Sequence, residues 1–244
     1  AFGGPVLTPV PSFAMYDITP RALSQDVVTV PLTREFDLDA DAVIQKANET
    51  ETRVIFLASP NNPTGKVFSR EELQFIADLC LKWGVIAATD EIYEHILYDG
   101  AKHISMASLP GMRDQTITVN SISKTYSLTG WRVGWAIAPE HLTTSIRKVH
   151  DFLTVGAPHP LQEAAATALR IDRSYYTTLA RNYQGRREFF SRVLEETGFR
   201  IYRPHGAYYI MTDVGHFGFS NDVAFAFHLV EKFGVATVPG SSFY

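Results

Sequence analysis

The chain has 244 residues, of which 45% are hydrophobic and 20% are charged, a composition that excludes a disordered or collagen-like protein. This length accommodates one large domain, or one domain together with part of another. The formal net charge of -4 gives no general attraction for a polyanion, so neither nucleic acid nor an anionic membrane is an expected partner.

The chain contains a single cysteine, Cys80, which excludes an internal disulfide and a cysteine cluster for zinc. Cys80 lies in an apolar helical pattern, which predicts a buried thiol and a reducing compartment. No apolar run reaches the roughly 18 residues of a membrane span. Residues 1–5 lack the basic start and the apolar core of a signal peptide. We therefore expect a soluble, cytoplasmic protein, and we identify no metal-ligating set of residues.

Short β-branched runs alternate with helical patterns between Arg53 and Pro139, as in a sheet whose strands are joined by crossover helices. Residues 54–58 read as a buried strand, and a loop rich in proline, asparagine and glycine follows them. Ser69 and Glu72 then form a capping-box signature, which predicts the start of a helix. The predicted buried stripe of this helix is Leu73, Ile76, Ala77, Leu79 and Cys80, and the predicted stop is Gly84.

Further strands are predicted over residues 85–89, 116–120 and 133–138. Asn62, Asp90 and Lys124 each follow the carboxyl end of a predicted strand. In an open parallel sheet that edge is where ligands bind. If the strands are parallel, these three side chains meet at one ligand-binding edge.

The pattern changes beyond Pro139, where longer helical segments precede short strand-like ones. The predicted helices cover 160–170, 175–197 with Gly198 as its cap, and 221–233 between Ser220 and Gly234. The predicted strands cover 199–203 and 207–212. These elements indicate an α/β fold with a mainly parallel sheet flanked by helices, followed by part of a smaller α+β domain. The expected division is a large domain over 1–150, a helical connection over 151–197 and a partial small domain over 198–244.

Four motifs carry a resemblance to one enzyme family. Ser121-Ile122-Ser123-Lys124, followed by Gly130-Trp131-Arg132-Val133-Gly134, resembles the cofactor-lysine motif of the fold-type I aminotransferases of class I and II, which use pyridoxal phosphate. Asn62-Pro63-Thr64-Gly65, Asp90-Glu91-Ile92-Tyr93 and Gly206-Ala207-Tyr208-Tyr209 resemble further motifs of that family, in the family's order. Each motif alone is weak, whereas together they are specific and span essentially the whole chain. The resemblance implies a transaminase that moves an amino group between an amino acid and a 2-oxo acid.

The resemblance also implies the catalytic residues. Lys124 matches the lysine that holds the cofactor as a Schiff base, which only a lysine amine forms reversibly in proteins. Asp90 matches the carboxylate that keeps the pyridine nitrogen protonated, so that the ring accepts an electron pair. Tyr93 and Asn62 match the pair that binds the phenolate oxygen of the cofactor.

The remaining cofactor contacts follow from the same motifs. Arg132 and Ser121 match the guanidinium and the hydroxyl that bind the phosphate. Ser123 matches a further contact, with a plain turn role left open. Pro11-Ser12-Phe13-Ala14-Met15-Tyr16 resembles the segment whose aromatic side chain stacks on the pyridine ring, which assigns that role to Phe13 and leaves a core position as the alternative.

The implied mechanism is a double displacement. The substrate amine displaces Lys124, and the freed Lys124 amine takes the Cα proton and returns it to the C4′ atom of the cofactor. Residues 159–163 and 206–209 look most like the broad-specificity branch, which acts on aspartate, aromatic amino acids, methionine, glutamine or kynurenine, and the sequence does not choose among them. The family also implies a homodimer, because its active site lies between subunits.

Two departures from the family pattern qualify these expectations. The glycine-containing phosphate loop and the tyrosine donated across the dimer are not located, and residues 238–244 resemble the start of the segment that bears the substrate-carboxylate arginine, which is absent. We therefore expect a partial chain with little transaminase activity by itself. Two rivals remain: a Cβ–S lyase or other elimination enzyme with the same cofactor, and a cofactor-binding sensor domain of a transcriptional regulator.

Overall fold

The structure is a computed structural model that describes residues 3–244, so the expectations for residues 1–5 and for the start of domain 1–150 lie partly outside it. A six-stranded sheet forms its centre, in the order β2-β1-β3-β4-β5-β6. Its strands are β1 Val6–Val10, β2 Val27–Pro31, β3 Val54–Ala58, β4 Ile86–Asp90, β5 Thr116–Ser121 and β6 Gly134–Ile137. All neighbouring strands run parallel except β5 and β6, which are antiparallel. The predicted mainly parallel sheet is confirmed.

The helices flank this sheet and continue beyond it. They are α1 Met15–Ala22, α2 Ala40–Thr50, α3 Arg70–Trp83, α4 Glu140–Leu153, α5 His159–Ala168, α6 Arg173–Glu196 and α7 Asp222–Phe233. Two short antiparallel strands, β7 Arg200–Tyr202 and β8 Met211–Asp213, lie between α6 and α7. Among residues 3–244, no helix combines the length and the apolar character that crossing a bilayer requires.

Helix α3 follows its sequence signals closely. The Ser69 hydroxyl accepts from the Glu72 amide at 3.2 Å, and the Glu72 carboxylate accepts from the Ser69 amide at 2.7 Å, which completes the capping box. The helix ends at Gly84 in the left-handed conformation. Cys80 is 2% exposed in the core between α3 and the sheet. Burial raises the pKa of its thiol to about 12, so the group stays protonated and unreactive at neutral pH.

The first two strands, which the sequence analysis did not assign, contain or end in proline. Pro9 lies inside β1, a position that usually argues against a strand because proline has no N–H. In the structure β1 pairs with β2 along its whole length, but it pairs with β3 only through Val6 and Leu7. Pro9 therefore lies beyond the β3 pairing, where the missing N–H breaks no hydrogen bond on that side.

Two local predictions near the carboxyl end of the chain are wrong. The segment 207–212 is not a continuous strand, because Ala207 has a φ of 58° and its N–H donates to the carbonyl of Ile96 instead of to a strand partner. The helix α7 is capped by Asn221, not by Ser220. The Asn221 side chain accepts from the Ala224 amide at 2.8 Å, which satisfies a free N–H of the first turn.

Backbone contact joins two of the sequence motifs. The carbonyl of Gly65 accepts hydrogen bonds from the amides of His205 and Gly206 at 3.0 and 2.9 Å. A Cβ atom on Gly65 would lie 2.7 Å from the Gly206 carbonyl oxygen and closer still to the Pro204 side chain. The φ of Gly65 is 70°, a conformation that disfavours other residues. Both constraints require glycine where the 62–65 and 206–209 motifs meet.

This contact predicts the cost of a methyl group at Gly65. We expect Gly65→Ala to lower the free energy of unfolding by about 1–3 kcal/mol more than Gly84→Ala, because it adds overpacking to the left-handed strain. Gly84 is the matched control, since its φ is 66° and nothing lies within 4 Å of an added Cβ. Urea unfolding of both variants measures the difference, and equal losses would show that the contact between the motifs is loose.

Candidate active site

Three loops leave the same edge of the sheet. Strands β3, β4 and β5 are parallel, and Ala58 lies beside Asp90, which in turn lies beside Val119. The loop with Asn62 follows β3, Asp90 ends β4, and Lys124 follows β5. The structure therefore brings Asn62, Asp90 and Lys124 to one edge, as a parallel sheet requires.

The Asp90 carboxylate is partly buried and has two hydrogen-bond donors. Oδ2 accepts from the Tyr16 hydroxyl at 2.6 Å, and Oδ1 accepts from the Ile92 amide at 3.1 Å. Burial raises the pKa of Asp90 above its usual value, and the two donors and the nearby Lys124 charge offset only part of this effect. Asp90 is therefore a carboxylate for which a cationic partner would be favourable.

Tyr16 is a site residue that the sequence analysis did not single out. Its ring stacks on Phe56 with centroids 5.2 Å apart and planes 6° from parallel. Phe13 meets the Tyr16 ring edge-on at 5.6 Å and is 39% exposed, which excludes the alternative of a core position for Phe13. No local pattern singles out Tyr16, because its hydrogen-bond partner Asp90 lies 74 residues away in the chain.

Tyrosines from the 206–209 motif complete the surroundings of Lys124. The Tyr93 and Tyr209 hydroxyls share a hydrogen bond of 2.9 Å, and the Tyr93 ring meets Tyr208 edge-on at 5.1 Å. The Lys124 amine lies 5.8 Å from the centroid of the Tyr208 ring. Burial and the neighbouring hydroxyls raise the pKa of Tyr93, so its hydroxyl keeps its proton at neutral pH. Tyr208 and Tyr209 belong to the 206–209 motif, but no local pattern predicts their position in the site.

Asn62 and Asn61 have different environments despite their adjacency. Asn61 stabilises the turn, because its Oδ1 accepts from the Thr64 amide at 3.1 Å and from the Thr64 hydroxyl at 2.9 Å. The Oδ1 atom of Asn62 is buried and has no hydrogen-bond partner among residues 3–244. A buried amide oxygen without a partner is costly, so the Asn62 side chain is suited to a bound ligand.

Ser121, Ser123 and Arg132 lie at the adjoining ends of β5 and β6. Ser121 pairs with Gly134 in the sheet, two residues after Arg132. The Ser121 hydroxyl accepts from the Ser123 amide at 3.1 Å, and the exposed Arg132 donates to the Thr129 carbonyl at 2.9 Å. Ser123 takes part in the turn, since its carbonyl accepts from the Thr129 hydroxyl at 2.9 Å. Hydroxyl and guanidinium donors at one end of the site suit an anion.

Comparison with known proteins gives one consistent result. The family model described as aminotransferase class I and II matches residues 2–244. A probable N-succinyldiaminopimelate aminotransferase of Mycobacterium tuberculosis is 35% identical over 99% of this chain and 61% of its own length. Human kynurenine–oxoglutarate transaminase 3 is 36% identical over 87% of this chain and 50% of its own length. The solved N-succinyldiaminopimelate aminotransferase from Mycobacterium tuberculosis superposes with a TM-score of 0.95 at 35% identity, covering 99% of this chain and 64% of that one. The chain thus spans between half and two thirds of the length of these relatives.

The environment of Asp90 predicts how its charge affects stability. In the folded protein the pKa of the Asp90 carboxyl is raised from the usual 3.8, so the charged form destabilises the fold. Compared with a protein that has a neutral side chain at this position, the folded protein therefore loses stability as the pH rises through the titration of Asp90. We expect Asp90→Asn to raise the melting temperature of the cofactor-free protein at about pH 7 and to lose this advantage towards about pH 3. Thermal melts across this range measure the effect. An Asn variant that is less stable by the same amount at every pH would contradict it.

Proposed function

The chain belongs to the class I and II aminotransferase family, and from this we propose that its activity is amino-group transfer between an amino acid and a 2-oxo acid with pyridoxal phosphate as cofactor. The observation that carries the proposal is the grouping of Lys124, Asp90 and Tyr93 at one sheet edge, with donors for an anion beside them. Because the chain covers only part of its relatives, the activity is proposed for the protein that contains this chain.

The chemistry of the described residues suits pyridoxal phosphate. The partly buried Asp90, whose pKa is raised, gains a favourable partner in a protonated ring nitrogen. The contact of Asn62 to the ring oxygen of the cofactor would use its Nδ2 group, which donates, whereas its buried Oδ1 can only accept from a ligand donor. Ser121 and Arg132 supply donors for a phosphate, and the exposed Phe13 ring offers a face for the pyridine.

Each catalytic residue has a defined role in this proposal, and Lys124 has two. When bound, pyridoxal phosphate supplies an aldehyde that combines with amines and a ring that accepts the electron pair released at the substrate's α-carbon. Lys124 would hold the aldehyde through Nζ, and the same Nζ, once freed, would take the proton from the substrate's α-carbon. Asp90 holds a proton on the ring nitrogen. Tyr93, whose raised pKa keeps it protonated, donates its hydroxyl to the ring oxygen beside Asn62.

Substrates and assembly belong to the proposal as well. Relatives named for N-succinyldiaminopimelate and for kynurenine with oxoglutarate indicate the first compounds to assay, with 2-oxoglutarate as the acceptor. We also propose a homodimer, supported by family membership and by the exposed side chains of Phe152 and Leu153 on α4. A cytoplasmic location is a separate part of the proposal. Light scattering of the purified protein tests the dimer.

The first test asks whether Lys124 binds the cofactor. We expect borohydride reduction of the protein with pyridoxal phosphate to leave a pyridoxyl group on Lys124, detected by peptide mass spectrometry. Lys124→Arg removes the label, because arginine does not combine with the aldehyde. Lys148→Arg is the control, since Lys148 is an exposed lysine on α4 and its loss leaves the Lys124 label intact. Equal labelling of several lysines would contradict the proposed site.

The second test concerns the reaction itself. We expect Asp90→Asn to lower the transamination rate on the order of 100-fold or more, because an electrostatic contact to the reacting group is lost. Thermal melts of the same variant serve as the control, because we expect it to be at least as stable as the wild type at neutral pH in the cofactor-free form. Product analysis by chromatography separates the rival reaction: pyruvate and ammonia formed without any 2-oxo acid acceptor would identify an elimination enzyme instead.

A further inference from the structure

The side chain of Asn120 joins two of the loops that form the candidate site. Its Oδ1 accepts from the Ser121 amide at 2.7 Å, at the end of β5. Its Nδ2 donates to the Glu91 carbonyl at 3.2 Å and to the Glu94 carboxylate at 2.6 Å, in the turn that follows β4. Asn120 is 7% exposed, so these bonds are made away from solvent.

The turn after β4 is fixed from a second direction by Glu91. The Glu91 side chain is 3% exposed and accepts from the hydroxyls of Thr89 and Ser105, both at 3.0 Å. Its other oxygen lies 2.8 Å from Nε2 of His103. The Glu91 side chain thus holds the turn after β4 in place, and Asn120 connects this turn to the end of β5.

We propose that Asn120 is a positioning residue that sets the spacing between the two halves of the cofactor site. One half comprises Asp90 and Tyr93 after β4, and the other comprises Ser121 and Lys124 after β5. A ligand that binds both halves gains the full free energy of both contacts only if their spacing is already correct, because otherwise part of that energy is used to order the loops. This inference rests on the proposed function, since it assumes one ligand that reaches both halves.

The buried amide is suited to this task for a chemical reason. It donates and accepts at once, so a single side chain bonds to the Ser121 amide and to the acceptors of Glu91 and Glu94. Aspartate at this position would keep the acceptor for Ser121 but place a negative charge against Glu94. Alanine would remove both functions.

The first experiment uses the cofactor-free protein and amide hydrogen exchange. We expect Asn120→Ala to speed exchange in peptides covering 91–96 and 121–125 together, and Asn120→Asp to speed it chiefly in 91–96, where the donor is lost. Thr118→Val is the matched control, because Thr118 is 8% exposed on the same strand and its hydroxyl is buried without a partner among the described residues. Unchanged exchange in Asn120→Ala would overturn the inference.

The second experiment separates positioning from general loss of structure. Binding of pyridoxal phosphate, of 3-hydroxypyridine, which has neither the aldehyde nor the phosphate, and of inorganic phosphate is measured by equilibrium dialysis for the wild type, Asn120→Ala and Thr118→Val. We expect Asn120→Ala to bind 3-hydroxypyridine and phosphate as the wild type does, because each reaches one half of the site, and pyridoxal phosphate about 10- to 100-fold more weakly. A merely structural role predicts weaker binding of all three, and that result, like unchanged binding of pyridoxal phosphate, overturns the inference.

The binding and labelling results distinguish failure of the proposed function from failure of the positioning role alone. A wild-type protein that does not bind pyridoxal phosphate and gives no label on Lys124 contradicts the cofactor assignment and the positioning role with it. A wild type that binds the cofactor, with an Asn120→Ala variant that binds it equally well, contradicts only the positioning role.

Discussion

The parallel pairing of β3, β4 and β5 is the constraint on which the candidate site depends. With Ala58 beside Asp90 and Asp90 beside Val119, the three loops that follow these strands emerge side by side. A slip of one residue would turn Asp90 to the opposite face of the sheet, since side chains alternate along a strand. The alternate residues of β3 and β4 pack into two different apolar clusters, one on each face of the sheet, so such a slip would exchange side chains of different size between them.

A second set of contacts brings the 206–209 motif to this edge. Arg187 on α6 is 4% exposed and donates to both carboxylate oxygens of Asp99, at 2.6 and 2.7 Å, and to the Pro204 carbonyl at 3.0 Å. A bidentate pair of this kind fixes direction as well as distance. Together with the backbone contact between Gly65 and Gly206, it holds Tyr208 and Tyr209 against Tyr93. Distant parts of the chain therefore meet at Lys124 through polar contacts that the local sequence does not reveal.

The sequence predicted those features whose causes are local. The capping box of α3 and its buried stripe need only neighbouring residues, and the parallel sheet followed from alternating strand and helix patterns. Strand β1 was not predicted because it contains Pro9. Proline is tolerated there because the pairing with β3 ends at Leu7, and this depends on the tertiary structure. Helix α4 was not predicted, although Leu142, Ile146 and Val149 recur at helical spacing along it. Tyr16 and Asn120 act on residues far away in the chain, and a single sequence carries no signal for such partners.

The most direct test of the account is a crystal structure of the protein with pyridoxal phosphate. The account predicts density continuous from Lys124 Nζ to the cofactor, the ring nitrogen within hydrogen-bond distance of Asp90, and the phosphate beside Ser121 and Arg132. It also predicts that the Asn120 contacts to Ser121 and Glu94 persist. A cofactor bound elsewhere on the chain, or bound at this edge with its ring nitrogen away from Asp90, would contradict it.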